Sequence, residues 1–251
     1  MSSSPLLGRV LAAGLVLVMA TVLTGCATTP LRFEGTGTVI GAEPAEPDPV
    51  EELASGLTDE QYEEFLLDID GAIGVADQFW SDHWSEFFTG EYEAPFINGD
   101  NGLYDGNDPS TDPGCGGEAL GPDNAFYCIP DDFVAWDLGL MVNGYADGDA
   151  WVYLVIAHEW GHAIQARISE DLVAEQTELQ ADCFAGAAIF GVDADTDGGV
   201  IEEGDLAEIT TALSRLADTT AWTSEGDHGD PFQRIGAFDT GKEGGVTACF
   251  P

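Results

Sequence analysis

Two histidines four residues apart, His158 and His162, lie inside a largely apolar stretch, and this spacing constrains the fold more than any other feature of the chain. At about 3.6 residues per turn, both imidazoles project from one face of a helix and can reach a single cation. The pattern predicts that helix from Asp149, as its N-cap, to about Ile168. Glu159 stands beside the first histidine, where a carboxylate can hold a water on a bound metal and act as its general base. Gly161, between the histidines, predicts that another element packs closely at that turn. A tetrahedral catalytic zinc needs a third protein ligand and an open position. The next predicted helix, Leu172 to Phe190, carries Glu178 and Asp182, again four apart and on one face. Glu178 is the expected third ligand. Asp182 is expected to accept a hydrogen bond from the far ring nitrogen of a ligand histidine, His158, fixing its tautomer. The bland alternative is two solvated carboxylates in a chain with 47 acidic residues.

The rest of the chain reads as mostly helical with one small sheet, an α+β fold. Thr58-Asp59-Glu60-Gln61 is a capping-box signature. The apolar residues after it, from Phe65 to Phe87, recur at helical spacing, with Gly71 and Gly74 as potential breaks. His83, among these aromatics, is expected to be an ordinary surface or half-buried histidine. Asn98 to Gly117 is a loop of Gly, Asp, Asn and Pro. Cys128 to Met141 suggests a strand, and Asp132 to Leu138 could pair with the backbone of a substrate. A helix over Leu206 to Ala217 is expected with Asp205 as its cap. The last begins at Asp230, with Pro231 in its first position, and ends at Gly241.

The first residues carry an address. Arg9, the apolar run Val10 to Leu23, and Leu23-Thr24-Gly25-Cys26 predict a lipoprotein signal peptide over 1–25, with Cys26 acylated. Residues 26–57, rich in Pro and Gly, are expected to be a flexible tether, and 58–251 one well-buried domain. The protein is then expected outside the cytoplasm, lipid-anchored to the cell membrane. Its net charge of −41 excludes nucleic acid as a partner, because phosphate binding needs a basic surface. With Cys26 acylated, Cys115, Cys128, Cys183 and Cys249 remain, an even number that reads as two disulfides in an oxidising compartment. Three pairings are open; Cys115 with Cys128 and Cys183 with Cys249 is the expected one. A zinc knuckle is the competing use of these thiols, but the spacings lack a C-x-x-C.

Several of these segments together resemble the neutral zinc metallopeptidase family of bacterial membrane-anchored proteins. They are Ala157 to Gln165, Glu178 to Gly186, Glu203-Gly204-Asp205-Leu206, His228-Gly229, Gln233-Arg234 and Cys249, with Cys115-Gly116 and Phe126-Tyr127-Cys128 upstream. The resemblance spans about Cys115 to Pro251. It implies a gluzincin-like, zincin-type fold, with an active-site helix packed under a small sheet and a glutamate as third zinc ligand. The family usually carries a further histidine directly after the HExxH motif, where this chain has Ala163. Asp193-Ala194-Asp195-Thr196-Asp197-Gly198 looks like an insertion. It fits either the start of a calcium loop through Asp193, Asp195 and Asp197, or a simple acidic turn, since position twelve is Gly204 rather than Glu. In peptidases of this type a second donor helps hold the developing oxyanion, and His228 is assigned that role. Arg234 is expected to anchor an acidic side chain. The combined expectation is a zinc metallopeptidase acting on protein or peptide substrates; the rival reading is a lipid-anchored zinc-binding scaffold that cleaves nothing.

Overall fold

The computed structural model describes residues 56–195, 200–217 and 228–251, without the side chains of 193–195. The signal peptide, Cys26, the tether up to residue 55 and the side chains of the candidate calcium residues Asp193, Asp195 and Asp197 lie outside what it describes. The first helix, α1 (Asp59–Phe87), opens on the expected capping box. The Thr58 side chain accepts from the Gln61 backbone N–H, and the Gln61 side chain accepts from the Thr58 N–H. It does not break at Gly71 or Gly74. Each glycine costs a helix about 1 kcal/mol relative to alanine, and burial of Phe65, Ile69, Phe79, Trp80 and Trp84 along one face outweighs that. Gly71 also makes room for a neighbour, since a Cβ there would meet the Tyr153 hydroxyl at 2.8 Å.

The sheet contains β1 (Phe96–Ile97), β2 (Leu103–Tyr104), β3 (Ala125–Cys128) and β4 (Phe133–Asp137). β4 is its centre. β1 and β2 pair with it in parallel, at Phe133–Val134 and Trp136–Asp137 respectively, and β3 pairs antiparallel. The single strand expected over Cys128 to Met141 is therefore two strands and a helix. A turn separates β3 from β4, and α2 (Leu138–Tyr145) starts where the Asp137 carboxylate accepts the Leu140 N–H. The expectation that Asp132 to Leu138 offers its backbone to a substrate is overturned, because β4 has partners on both sides and the segment then turns helical. β3 is the edge.

α3 (Ala150–Gln165) runs through the middle of the molecule and ends three residues before the expected Ile168. Its residues are buried nearly all round, the mark of a helix packed on several sides. Asp149 occupies the N-cap position, though its side chain makes no capping bond. A 3-10 turn (Glu170–Leu172) follows, and α4 (Thr177–Asp195) starts five residues later than the pattern predicts. α5 (Asp205–Arg215) has Gly204, with φ 126°, in the cap position expected for Asp205. The Asp205 carboxylate instead accepts the Glu202 N–H at 2.6 Å. α6 (Pro231–Gly244) carries the expected Asp230 cap and Pro231, and continues one turn past Gly241 to Gly245, with φ 66°.

α4 and α6 cross backbone to backbone. A Cβ on Gly186 would strike the Phe238 carbonyl, and one on Gly241 the Cys183 carbonyl. The Cys183–Cys249 disulfide pins the same crossing, and Cys115–Cys128 ties the long loop to the end of β3, so both expected pairs are present. Closing a 66-residue separation contributes about 4 kcal/mol in the chain-entropy picture. Among the described residues, no helix is long and apolar enough to cross a membrane.

Candidate metal centre

Gly161 lets α4 approach α3 closely: a Cβ there would lie 3.0 Å from the Ala181 Cα and carbonyl oxygen. This contact sets the Glu178–Asp182 face of α4 against the His158–His162 face of α3. His158 Nε2 and His162 Nε2 are 3.2 Å apart. Glu178 Oε2 is 3.3 Å from His158 Nε2, and Glu178 Oε1 is 3.4 Å from His162 Nε2. Zinc bonds of about 2.0–2.1 Å in a tetrahedron put ligand atoms about 3.3–3.4 Å apart, so this donor set has the spacing that zinc requires.

The far ring nitrogens fix what the near ones present. Asp182 Oδ1 lies 2.8 Å from His158 Nδ1, so that nitrogen carries the proton and donates. Gln165 Oε1 lies 2.9 Å from His162 Nδ1. The Gln165 amide nitrogen donates to the Thr177 carbonyl at 2.7 Å, which establishes its oxygen as the acceptor. Both Nε2 atoms then turn lone pairs toward the same point as a carboxylate. Glu178 Oε2 is buried there without a hydrogen-bond donor. Three electron-rich groups converging in a buried place call for a cation.

A proton competes with a metal for His158 Nε2. Burial pulls this imidazole down, but Asp182 and then Glu178 outweigh it and raise it to about 9. Burial pushes Glu178 up, and the two histidines overcome that to hold it far below the usual carboxylate range. Glu159, 3% exposed, is pushed up by burial, with His162 and His158 offsetting part of the rise, and its carboxylate faces the Tyr127 backbone N–H. A buried carboxyl with a raised pKa suits a group that must take and return a proton.

Asp182 is itself held. The Arg234 Nε donates to Oδ2 at 2.8 Å and Nη2 to Oδ1 at 2.7 Å, while Nη1 reaches the Leu216 carbonyl. Arg234 thus anchors an acidic side chain, as expected, and outweighs burial to keep the Asp182 carboxyl low. His228 is buried and senses the charges of Glu178, Arg234, His158 and Asp182, so it sits beside this cluster; burial holds its imidazole down. It is not among the residues lining the cleft described below. His83 lies elsewhere, pairing with Glu86 on α1.

A cleft of about 490 Å³ opens over Glu159, His162 and Glu178, between β3 and the segment leading into α4. Gln165 and Tyr127 lie inside the motifs quoted for the resemblance without a role assigned to them, and Arg167 carries no signal in the sequence. Gln165 follows His162 by three positions on one helix face, a spacing that could have flagged it. Arg167 binds Asp132, the Tyr127 hydroxyl and the Glu93 carbonyl, tying the end of α3 to the β3–β4 turn; only the tertiary fold brings these together. Replacing Gln165 with Leu removes the acceptor that orients His162. It is expected to weaken zinc binding by about 10–100-fold in a competition titration with a chromogenic chelator. An unchanged affinity would mean that Gln165 does not position this histidine.

A buried His-x-x-x-His helix with a glutamate delivered from the next helix defines a candidate metal centre of the kind that binds zinc. The chain belongs to the family described as "Putative neutral zinc metallopeptidase", whose sequence pattern matches residues 6–249. This bears out the resemblance read from the motifs, and zinc is the metal that the family implies. The chain is also similar to two bacterial proteins, each called "Uncharacterized protein YpfJ", from Escherichia coli strain K12 and from the O6:H1 strain CFT073. Identity to each is 32% over 163 residues, covering 54% of this chain and 55% of the relative. The chain therefore spans about half the length of the curated relatives it matches. No solved structure matches it.

Proposed function

We propose that the protein is a zinc-dependent peptidase in which His158 Nε2, His162 Nε2 and the Glu178 carboxylate hold the metal and Glu159 is the general base. One observation carries the reading: three electron-rich groups, 3.2–3.4 Å apart, meet at the floor of a cleft beside a buried carboxylate. Bound there, zinc supplies a Lewis acid that polarises a carbonyl and acidifies water. Glu159 takes a proton from the attacking water and gives it to the departing amine nitrogen. Asp182 and Gln165 hold the two imidazoles in the tautomer whose Nε2 carries the lone pair for the metal. His228, buried beside Glu178 and the Asp182–Arg234 pair, is proposed as a donor to the developing oxyanion.

The edge strand suggests how a substrate is held. The Asp137 N–H donates to the Asn124 carbonyl, whereas the Trp136 N–H and the Val134 carbonyl turn to the opposite edge of β4. In this antiparallel register the backbone groups of Ala125 and Tyr127 face away from β4. An extended peptide can pair there with the Ala125 backbone and the Tyr127 carbonyl, the Tyr127 N–H already facing Glu159. Cys26 is proposed as the lipid attachment site, which would set the domain outside the cytoplasm on a tether.

The test is metal analysis combined with hydrolysis of a quenched fluorescent peptide. About one zinc per chain is expected. Chelation should remove activity, and stoichiometric zinc should restore it. A folded protein that binds no zinc would sink the reading. Zinc binding with no cleavage of any peptide offered would favour the scaffold.

A further inference from the structure

Resting on the peptidase reading, we infer that the substrates are cationic polypeptide segments, cut internally, in which an apolar residue seats in the cleft between flanking basic residues. The walls are apolar: Ala125, Phe126 and Ile129 on the β3 side, Ala166 and Val173 opposite. Ile129 is 72% exposed, so this surface is open to a ligand. The carboxylates among the lining residues are Glu159 and Glu178, His162 is a proposed metal ligand, and there is no lysine or arginine among them.

The basic side chains among the described residues are Arg167, Arg215, Arg234 and Lys242, and each is in an ion pair. Their partners are Asp132, Asp147, Asp182 and Asp239 respectively. Arg167, adjacent in sequence to the cleft wall, also donates to three other oxygens, of Glu93, Ala163 and Tyr127. None of these four is left to take the terminal carboxylate of a peptide, which would enter a site already holding two glutamates. This disfavours cleavage from the C-terminus.

The rim has the opposite preference. Asp131 is exposed two residues past Ile129 on one wall, and Asp171 and Glu175 are exposed two residues either side of Val173 on the other. Each is two residues along the chain from a residue that lines the cleft, about 7 Å or less between Cα atoms, so its charge acts on the cleft mouth within the Debye length of about 10 Å at 0.1 M salt. The excess of acid over the whole chain adds a long-range field of the same sign. Apolar walls select the central residue, and the acidic rim selects its neighbours.

The experiment uses the zinc-loaded full chain and quenched fluorescent peptides blocked at both ends. Each has the same apolar centre, flanked by Lys, Ser or Glu pairs. At low salt the Lys-flanked peptide should exceed the Glu-flanked one in kcat/KM by about tenfold or more, shrinking toward parity in 1 M salt, where the Debye length is about 3 Å. Asp171→Lys with Glu175→Lys, both on the exposed rim, should cut that preference several-fold. Cleavage of the Ser-flanked peptide with a Lys-to-Glu ratio near one, or a ratio unmoved by the charge reversal, would overturn this inference while the peptidase reading stands. Failure to cleave any of the three would overturn both.

Discussion

Glu159→Gln is expected to lower kcat/KM for peptide hydrolysis by about a thousandfold or more while leaving zinc content and the folded state intact. Gln has the shape of Glu and keeps an oxygen that can face the Tyr127 N–H, so α3 loses no packing. What it loses is basicity. General acid–base catalysis contributes about 10²–10⁴ in rate, and here one carboxylate is asked both to take a proton and to return it. Zinc analysis and circular dichroism of the variant should match the wild type, because the proposed ligands are untouched. The separation matters: equal zinc with lost turnover identifies a base, whereas lost zinc would identify a structural fault. Turnover within tenfold of the wild type would remove Glu159 from the mechanism.

Arg234→Met should destabilise the fold by about 3–5 kcal/mol and weaken zinc binding as well. The guanidinium is fully buried and makes two hydrogen bonds to Asp182, which is also fully buried. Removing it strands a carboxylate shielded from solvent, a larger penalty than the pair's net worth. The stranded carboxylate also orients His158 less firmly, and loss of such a partner typically costs 10–100-fold in metal affinity. The double variant Arg234→Met/Asp182→Leu distinguishes the two effects. It should recover much of the stability, since no charge is left unpaired, but none of the zinc affinity, since His158 Nδ1 has lost its acceptor. Urea midpoints and a zinc competition titration report the two quantities separately. A single variant that unfolds within about 1 kcal/mol of the wild type would mean that water or another group compensates Asp182.

The capping boxes at Thr58 and Asp230 could be read in advance because each is a contact between residues three apart. The same holds for the His158–His162 and Glu178–Asp182 pairs, whose geometry follows from helix periodicity alone. The short strands β1 and β2 could not. Two residues carry no periodicity, and they are strands only because β4 offers them a parallel edge. Leu138–Tyr145 misled for a related reason: a brief apolar run suits a strand or a buried helix equally, and the Asp137 cap tips it to helix. At Gly71 and Gly74, local propensity favoured a break and tertiary burial overrode it.

The sequence by itself determined the metal-type residues, the faces they share and the family, because these depend on contacts short along the chain or on ordered motifs. The choice among the three open cysteine pairings, one of them closing 66 residues, was made by the tertiary structure. Only the tertiary structure decided that α4 lies close enough at Gly161 to bring Glu178 within 3.4 Å of both imidazoles. It alone decided that Gln165 orients His162, that the acid which Arg234 anchors is Asp182, and that β3 rather than β4 borders the cleft. Those outcomes depend on how helices and strands distant in sequence pack against one another, and no local pattern encodes that packing.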